Sequence, residues 1–118
     1  MKRALLGFTV LFGVVMASAC SSEDDPANSD AAATIRVSSN QFSPAQVRVK
    51  VGDTVLWTWG GGSHDVVSGT NCTPDAKFRS KLQSSGTFEQ KFDTAGTFPF
   101  FCTPHCSMGM TGEVIVEP

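Results

Sequence analysis

The stretch QVRVKVGDTVLWTW, residues 46–59, decides the fold class of this chain. Apolar and polar residues alternate in it on both sides of the turn-forming pair Gly52-Asp53. Alternation with a period of two is typical of a β-strand that buries one face, so the stretch predicts two such strands. The apolar positions are Val47, Val49, Val51, Val55, Trp57 and Trp59.

The same pattern extends towards both ends of the chain. Ile35 and Val37 alternate with polar residues before the central stretch, and several short apolar segments bounded by Gly, Pro and Asp follow it. Many short strands with such punctuation predict an all-β sandwich or barrel. For residues 74–84 the sequence does not decide between a short helix and a long loop. The later apolar positions are Val66, Val67, Phe88, Phe92, Phe98, Phe100, Cys102, Val114 and Val116.

Length and composition limit the functions that the chain can have. Its 118 residues suit a single domain, and 41% hydrophobic with 17% charged residues suits a globular one. The formal net charge of -2 gives no basic surface for nucleic acid, so we expect no nucleic-acid partner. Residues 34–118 hold seven basic and seven acidic residues, and therefore generate no strong overall field.

The amino-terminal residues have the pattern of a targeting signal. Lys2 and Arg3 precede the apolar run Ala4–Met16, which is too short to cross a membrane as a helix. Small residues occupy positions 17–19, so residues 1–19 are predicted to be a signal peptide. Cys20 follows directly, and the segment resembles a bacterial lipoprotein signal, with Ala17 where such signals usually have Leu.

We therefore expect Cys20 to be lipidated and residues 20–33 to form a disordered polar tether. Residues 34–118 would form the folded domain. This arrangement places the protein in the bacterial cell envelope, on its periplasmic or extracytoplasmic face, with a lipid anchor in the membrane. The alternative is ordinary secretion with cleavage after Ala19, which would leave Cys20 as a free thiol.

Metal-binding side chains are concentrated at residues 102–110, CTPHCSMGM. Cys102, His105 and a methionine lie there at a turn between two strands, and His64 follows a strand that a glycine run interrupts. Two imidazoles, one thiolate and a weak thioether are the ligands of a blue-copper electron-transfer centre. The pattern uses every histidine in the chain, so it favours a centre for one copper ion, Cu(I) or Cu(II).

The same residues resemble the plastocyanin-like cupredoxins, and in particular plastocyanin and halocyanin. The spacing C-x2-H-x4-M from Cys102 through His105 to Met110 is that of the family's copper loop. The segments 40–44, 47–57, 63–67, 78–80 and 96–98 resemble further family landmarks, so the likeness covers nearly all of residues 34–118. It implies a Greek-key β-sandwich, one-electron transfer without enzymatic activity, and the copper ligands His64, Cys102, His105 and Met110.

Three features depart from these relatives. Asp65 follows the first ligand where many relatives have Asn, so the hydrogen bonds that brace the copper loop must differ. Phe98 and Phe101 stand where relatives often have Tyr, so no phenol beside the copper can serve in docking. Cys72 and Cys106 are additional cysteines.

These departures lead to expectations about individual residues. Asp65 either accepts a hydrogen bond from Thr103 or is a solvated acid at a strand edge. With Cys20 assigned to lipid and Cys102 to copper, Cys72 and Cys106 are predicted to form a disulfide that stiffens the loop, the alternative being two free thiols.

We expect Met110 to be the axial ligand because it holds the family spacing. Met108 is then a surface residue beside His105. The edge of His105 is the expected electron port, in a flat apolar patch where redox proteins dock transiently with the monomer. The other residues of the predicted patch are Pro44, Gly60, Gly61, Gly62, Pro104 and Gly109.

Two other functions remain possible from the sequence. One is a copper carrier or chaperone of the envelope, which would use the same ligands to deliver metal. The other is a structural zinc site, with His64 idle and four ligands from the second half of the chain. The zinc ligands would be Cys72, Cys102, His105 and Cys106.

Overall fold

The computed structural model describes residues 31–118, so the predicted signal peptide, Cys20 and most of the predicted tether lie outside the described residues. Nine strands and one short 3-10 helix, Thr103–Met108, make up the described part. No helix among these residues is both long enough and apolar enough to span a membrane. The strands are β1 Ala33–Ser38, β2 Gln41–Ser43, β3 Gln46–Lys50, β4 Thr54–Trp59, β5 Val67–Thr70, β6 Thr73–Arg79, β7 Thr87–Lys91, β8 Gly96–Phe101 and β9 Thr111–Glu117.

The strands form two sheets, in the orders β2-β1-β4-β7 and β3-β9-β8-β5-β6. Strand β1 pairs in parallel with β4, and β3 pairs in parallel with β9, while the other pairs are antiparallel. Parallel neighbours cannot be joined by a tight hairpin, so the chain crosses between the sheets. The result is the predicted Greek-key β-sandwich.

Aromatic rings fill the space between the sheets. Trp57 is fully buried and contacts Phe78, Phe88 and Phe100, with ring centroids 5.4 to 5.9 Å apart. The ring of Phe100 also packs edge to face on Phe42, with the ring centroids 4.8 Å apart. The alternating positions of β1, β4 and β9 add branched aliphatic side chains to this core. The alternation quoted from residues 46–59 therefore identified the inward face correctly at all but one position.

The exception is Val51, which is exposed because β3 ends at Lys50 and the turn begins there. Strand β1 begins at Ala33, and the Ala32 N–H donates to the Thr54 carbonyl at 2.8 Å.

Residues 74–84, which the sequence left open, contain most of strand β6, at the edge of its sheet. The sequence did not predict this strand, because Pro74 and Asp75 are residues that are uncommon in strands. The β5–β6 hairpin bends at Gly69, whose φ is +150°. The buried Ser68 hydroxyl accepts the N–H groups of Lys77 and Phe78 at this bend, where the regular strand pairing is interrupted.

We predict that Gly69→Ala destabilises the domain by about 2 to 4 kcal/mol, because a β-carbon there would lie 1.9 Å from the Thr73 carbonyl oxygen. The matched control is Gly52→Ala, where φ is +94° and no atom lies within 4 Å, so only backbone strain of about 1 kcal/mol is expected. Urea unfolding of both variants measures the difference. Equal losses of stability would contradict the close approach.

Candidate metal centre

Three donor atoms converge at one end of the sandwich. The Nδ1 atoms of His64 and His105 lie 3.1 Å apart, and the Sγ of Cys102 lies 3.7 Å and 3.5 Å from them. The point equidistant from the three atoms lies about 2.0 Å from each, which is the length of a metal–imidazole bond. The geometry of the three residues therefore fits a single metal ion.

Contacts with Trp59, Gly62 and Gln83 hold the ligand His64 in place. The backbone of His64 exchanges two hydrogen bonds with Gln83, each 3.0 Å long, and its carbonyl accepts the indole N–H of Trp59 at 3.0 Å. Gly62 is required beside it, because a β-carbon there would lie 2.5 Å from the His64 Nε2. The ring is buried, with Nδ1 turned towards the other donors.

The remaining ligands come from one loop that contains the 3-10 helix. Cys102 and Met110 are both fully buried, and the N–H of Cys102 donates to the Met110 carbonyl at 3.1 Å. The N–H of Met110 donates in turn to the His105 carbonyl at 3.2 Å. Gly109 ends the helix in the left-handed conformation, with φ of +87°, and lets the chain turn back to Met110. His64, Cys102, His105 and Met110 form a type 1 copper centre.

Asp65 braces the two ligand segments against each other. Only 6% of its surface is exposed, and its Oδ1 accepts the N–H of Thr103 at 2.6 Å. Of the two expectations for this residue, the solvated acid at a strand edge is therefore wrong. The hydrogen bond ties the residue after His64 to the residue after Cys102, so it fixes the separation of two ligands.

Burial shifts the pKa values of two ligands in opposite directions. It lowers the pKa of His64, and the neighbouring His105 lowers it further. The neutral imidazole, which binds metal, is thus favoured. Burial raises the pKa of the Cys102 thiol, so this sulfur keeps its proton at neutral pH until a metal displaces it.

The two additional cysteines are joined to each other. The structure contains a Cys72–Cys106 disulfide with a Cα–Cα distance of 5.8 Å. It connects the tip of the β5–β6 hairpin to the 3-10 helix, next to His105. Two of the four sulfur and nitrogen donors required by the zinc alternative are therefore unavailable, and that alternative is wrong.

The residues around the copper loop differ in exposure. Met108 is 60% exposed, and Pro104 and Gly109 beside it are also exposed, while His105 is half-buried. Phe101, at one of the positions where relatives often have Tyr, is buried against Val67 and Cys106. The other such residue is Phe98, which packs on Phe92 at 5.2 Å.

Sequence reasoning missed the roles of Trp59, Gln83 and Ser80. Trp59 appeared only as a core residue, although its indole also holds the His64 backbone. Gln83 acts through its main chain and gives no side-chain signal. The Ser80 hydroxyl accepts the N–H of Val66 at 2.8 Å; residues 78–80 resembled a family landmark, but the resemblance gave Ser80 no role.

The fold and the donor set define a mononuclear type 1 copper protein, a cupredoxin. Residues 30–117 match the plastocyanin/azurin family of copper binding proteins, and the chain belongs to that family.

Halocyanin from Natronomonas pharaonis is 49% identical over 80 residues, which cover 64% of this chain and 48% of that protein. Plastocyanin from Scenedesmus fuscus is 34% identical over 84 residues, covering 64% of this chain and 86% of that one. The chain thus spans about half the length of the halocyanin, and 58% of a chloroplastic plastocyanin from Tetradesmus obliquus. The solved structure of oxidised plastocyanin from Dryopteris crassirhizoma is similar with a TM-score of 0.61, at 28% identity over 71% of this chain and 99% of that one.

We predict that metal binding releases one proton from Cys102, so the affinity for Zn²⁺, a redox-inert probe, rises about tenfold per unit between pH 7 and 8. In this range the raised pKa of Cys102 keeps the thiol protonated, while the lowered pKa of His64 keeps its imidazole neutral. Competition with a chelator of known pH dependence measures the slope. An affinity that does not change with pH would contradict the prediction.

Proposed function

We propose that this protein carries single electrons between redox partners in the bacterial cell envelope, through one copper ion that alternates between Cu(I) and Cu(II). The observation that carries the proposal is the triangle of His64 Nδ1, His105 Nδ1 and Cys102 Sγ, completed by the buried Met110. Two imidazoles, one thiolate and a weak thioether are the ligands of electron-transfer copper. The names of its relatives, halocyanin and plastocyanin, support the same class.

The rigidity of the ligands favours electron transfer over delivery of copper. Hydrogen bonds with the Gln83 main chain, the Trp59 indole and the Asp65 carboxylate fix both ligand segments, and Cys102 is fully buried. A centre whose ligands do not move exchanges an electron with little rearrangement. A copper chaperone instead needs ligands that an acceptor can reach, and here only the half-buried His105 borders the surface.

His105 is the proposed port for electrons. Its half-buried ring lies beside the exposed Met108 and Pro104, which are uncharged and suit brief encounters with a redox protein. Thr103, Ser107 and Gly109 in the same loop are also exposed and uncharged. We propose that partners dock here, on a monomer.

The amino-terminal sequence and the cysteines support the proposed location in the envelope. A signal peptide at residues 1–19 would export the chain, and lipid on Cys20 would hold it at the membrane. Export to an oxidising compartment suits the Cys72–Cys106 disulfide, because disulfides are rare in the cytosol. Residues 20–33 would then serve as the tether. Mass spectrometry of the membrane-extracted protein tests the lipid.

The optical spectrum of the copper-loaded protein tests the proposal directly. A thiolate bound to Cu(II) between two imidazoles should give a strong absorption band at about 600 nm. Addition of ascorbate should bleach the band, and reoxidation should restore it. A colourless copper adduct would overturn the electron-transfer function.

We predict distinct effects for three substitutions at the centre. Cys102→Ser should abolish the blue colour, since a hydroxyl cannot replace the thiolate. Met110→Leu should keep the colour and raise the reduction potential, because loss of the axial thioether favours Cu(I). Met108→Leu, at an exposed position in the same loop, is the control and should change neither property. A spectral shift from the control alone would assign the axial role to Met108.

We predict that Asp65→Asn raises the reduction potential by some tens of millivolts and keeps the blue spectrum. The amide oxygen can still accept the Thr103 N–H, whereas the negative charge that favours Cu(II) is lost. Asp65→Ala is the matched variant, because it removes the charge and the hydrogen bond together and should also alter the spectrum. Voltammetry at low salt measures the potentials. A potential unchanged in Asp65→Asn would show that the carboxylate does not act on the copper.

A further inference from the structure

We propose that the Cys72–Cys106 disulfide is the reaction site for an external dithiol, and that its reduction releases copper from the centre. The two cysteine residues differ in exposure, since Cys72 is exposed and Cys106 is 7% exposed. A groove of about 570 Å³ runs beside the bond and is lined by Asn71, Phe101 and Thr111 as well as both cysteines. A reductant can therefore reach the Cys72 sulfur from this groove.

The hairpin that carries Cys72 is held in an unfavourable conformation. Asn71, Cys72 and Ala76 all have left-handed backbones, with φ of +54°, +59° and +64°. Asn tolerates this region, but the other two residues do not favour it, and the second position of such a two-residue turn is normally Gly. In the proposed reaction, opening the disulfide frees the hairpin to leave this conformation, which favours reduction.

The other end of the bond lies within the copper loop. Cys106 directly follows the ligand His105, and its carbonyl accepts the N–H of Gly109 at 2.9 Å. Its side chain packs against Val67 and Phe101. The disulfide thus ties the segment that carries three of the four ligands to strand β5 and its hairpin. Without it, the loop keeps its hydrogen bonds, its packing and its attachment to strands β8 and β9, but loses its covalent link to the hairpin.

The exchange reaction balances in two steps. One thiolate of the dithiol attacks the Cys72 sulfur, the bond to Cys106 breaks, and Cys106 leaves as a thiolate that takes up a proton. The second thiol of the reductant then displaces Cys72, which is also protonated. The protein disulfide gains two electrons and two protons, and the dithiol becomes a disulfide. The four ligands would then hold Cu(I) less firmly, and Cys102 would take up a proton wherever an acceptor removes the metal.

The test measures copper release and the thiol state in the same sample. The copper-loaded protein is reduced with ascorbate, which leaves disulfides intact, and release to the Cu(I) chelator bathocuproine disulfonate is followed with and without dithiothreitol. We expect dithiothreitol to accelerate release at least tenfold. Alkylation and mass spectrometry should show Cys72 and Cys106 becoming modified as copper leaves.

The double variant Cys72→Ser/Cys106→Ser is the control for direct removal of copper by the dithiol. It should release copper rapidly in ascorbate alone, with little further acceleration by dithiothreitol. Equal acceleration of both proteins would overturn the proposal, as would a disulfide that stays intact or one that is reduced without faster release. A protein that binds copper without a blue colour would instead contradict the electron-transfer function, so the two failures are distinguishable.

Ala76→Gly tests the role of the hairpin without touching sulfur or the copper ligands. Glycine adopts a φ of +64° without strain, so the oxidised hairpin should become more stable relative to the reduced one. We expect about fivefold more dithiothreitol to be needed for half-reduction of the disulfide. An unchanged requirement would show that the left-handed backbone does not favour reduction.

Discussion

Two imidazole nitrogens and one sulfur must meet within bonding distance of a single point, although Cys102 and His64 are 38 residues apart in the chain. Neither the segment around His64 nor the loop from Cys102 to Met110 contains a helix or strand long enough to keep its ligands in place without the rest of the fold. The sandwich supplies the fixed frame, because β4 leads into the loop before His64 and β8 leads into Cys102. Four hydrogen bonds then fix the ligand segments to this frame and to each other, two with Gln83, one from Trp59 and one between Asp65 and Thr103.

The Asp65 carboxylate contributes a negative charge to the copper centre as well as a hydrogen bond. Among residues 31–118, Asp65 is the only buried acid, and it lies beside two copper ligands. An amide could make the same hydrogen bond, because its oxygen also accepts an N–H. A carboxylate adds a negative charge in a poorly solvated place, where charges act strongly on each other. The residue therefore couples the shape of the loop to the balance between Cu(I) and Cu(II).

Sequence reasoning succeeded where chemistry or periodicity is carried by side chains. The alternation around Trp57 identified the inward face of β4, and the spacing from Cys102 to Met110 identified the copper loop. It failed for β6, because Pro74 and Asp75 are uncommon in strands and edge position removes the usual burial pattern. It also missed Gln83, whose backbone alone contacts His64, since any residue type can make main-chain hydrogen bonds.

The parallel pairing of β3 with β9 has a consequence for the order in which the protein is assembled. Val47 and Val114 are neighbours in this pairing, so the sheet stays incomplete until nearly the whole domain has been synthesised. Contacts of such long range make folding slow, because a large loop must close before they form. During that interval His64 and Cys102 have no fixed relation, and a copper ion would meet single, flexible ligands. Maturation of the centre is thus a late event, and a chain that lost its last strand would also lose the partner that supports β3 and β8.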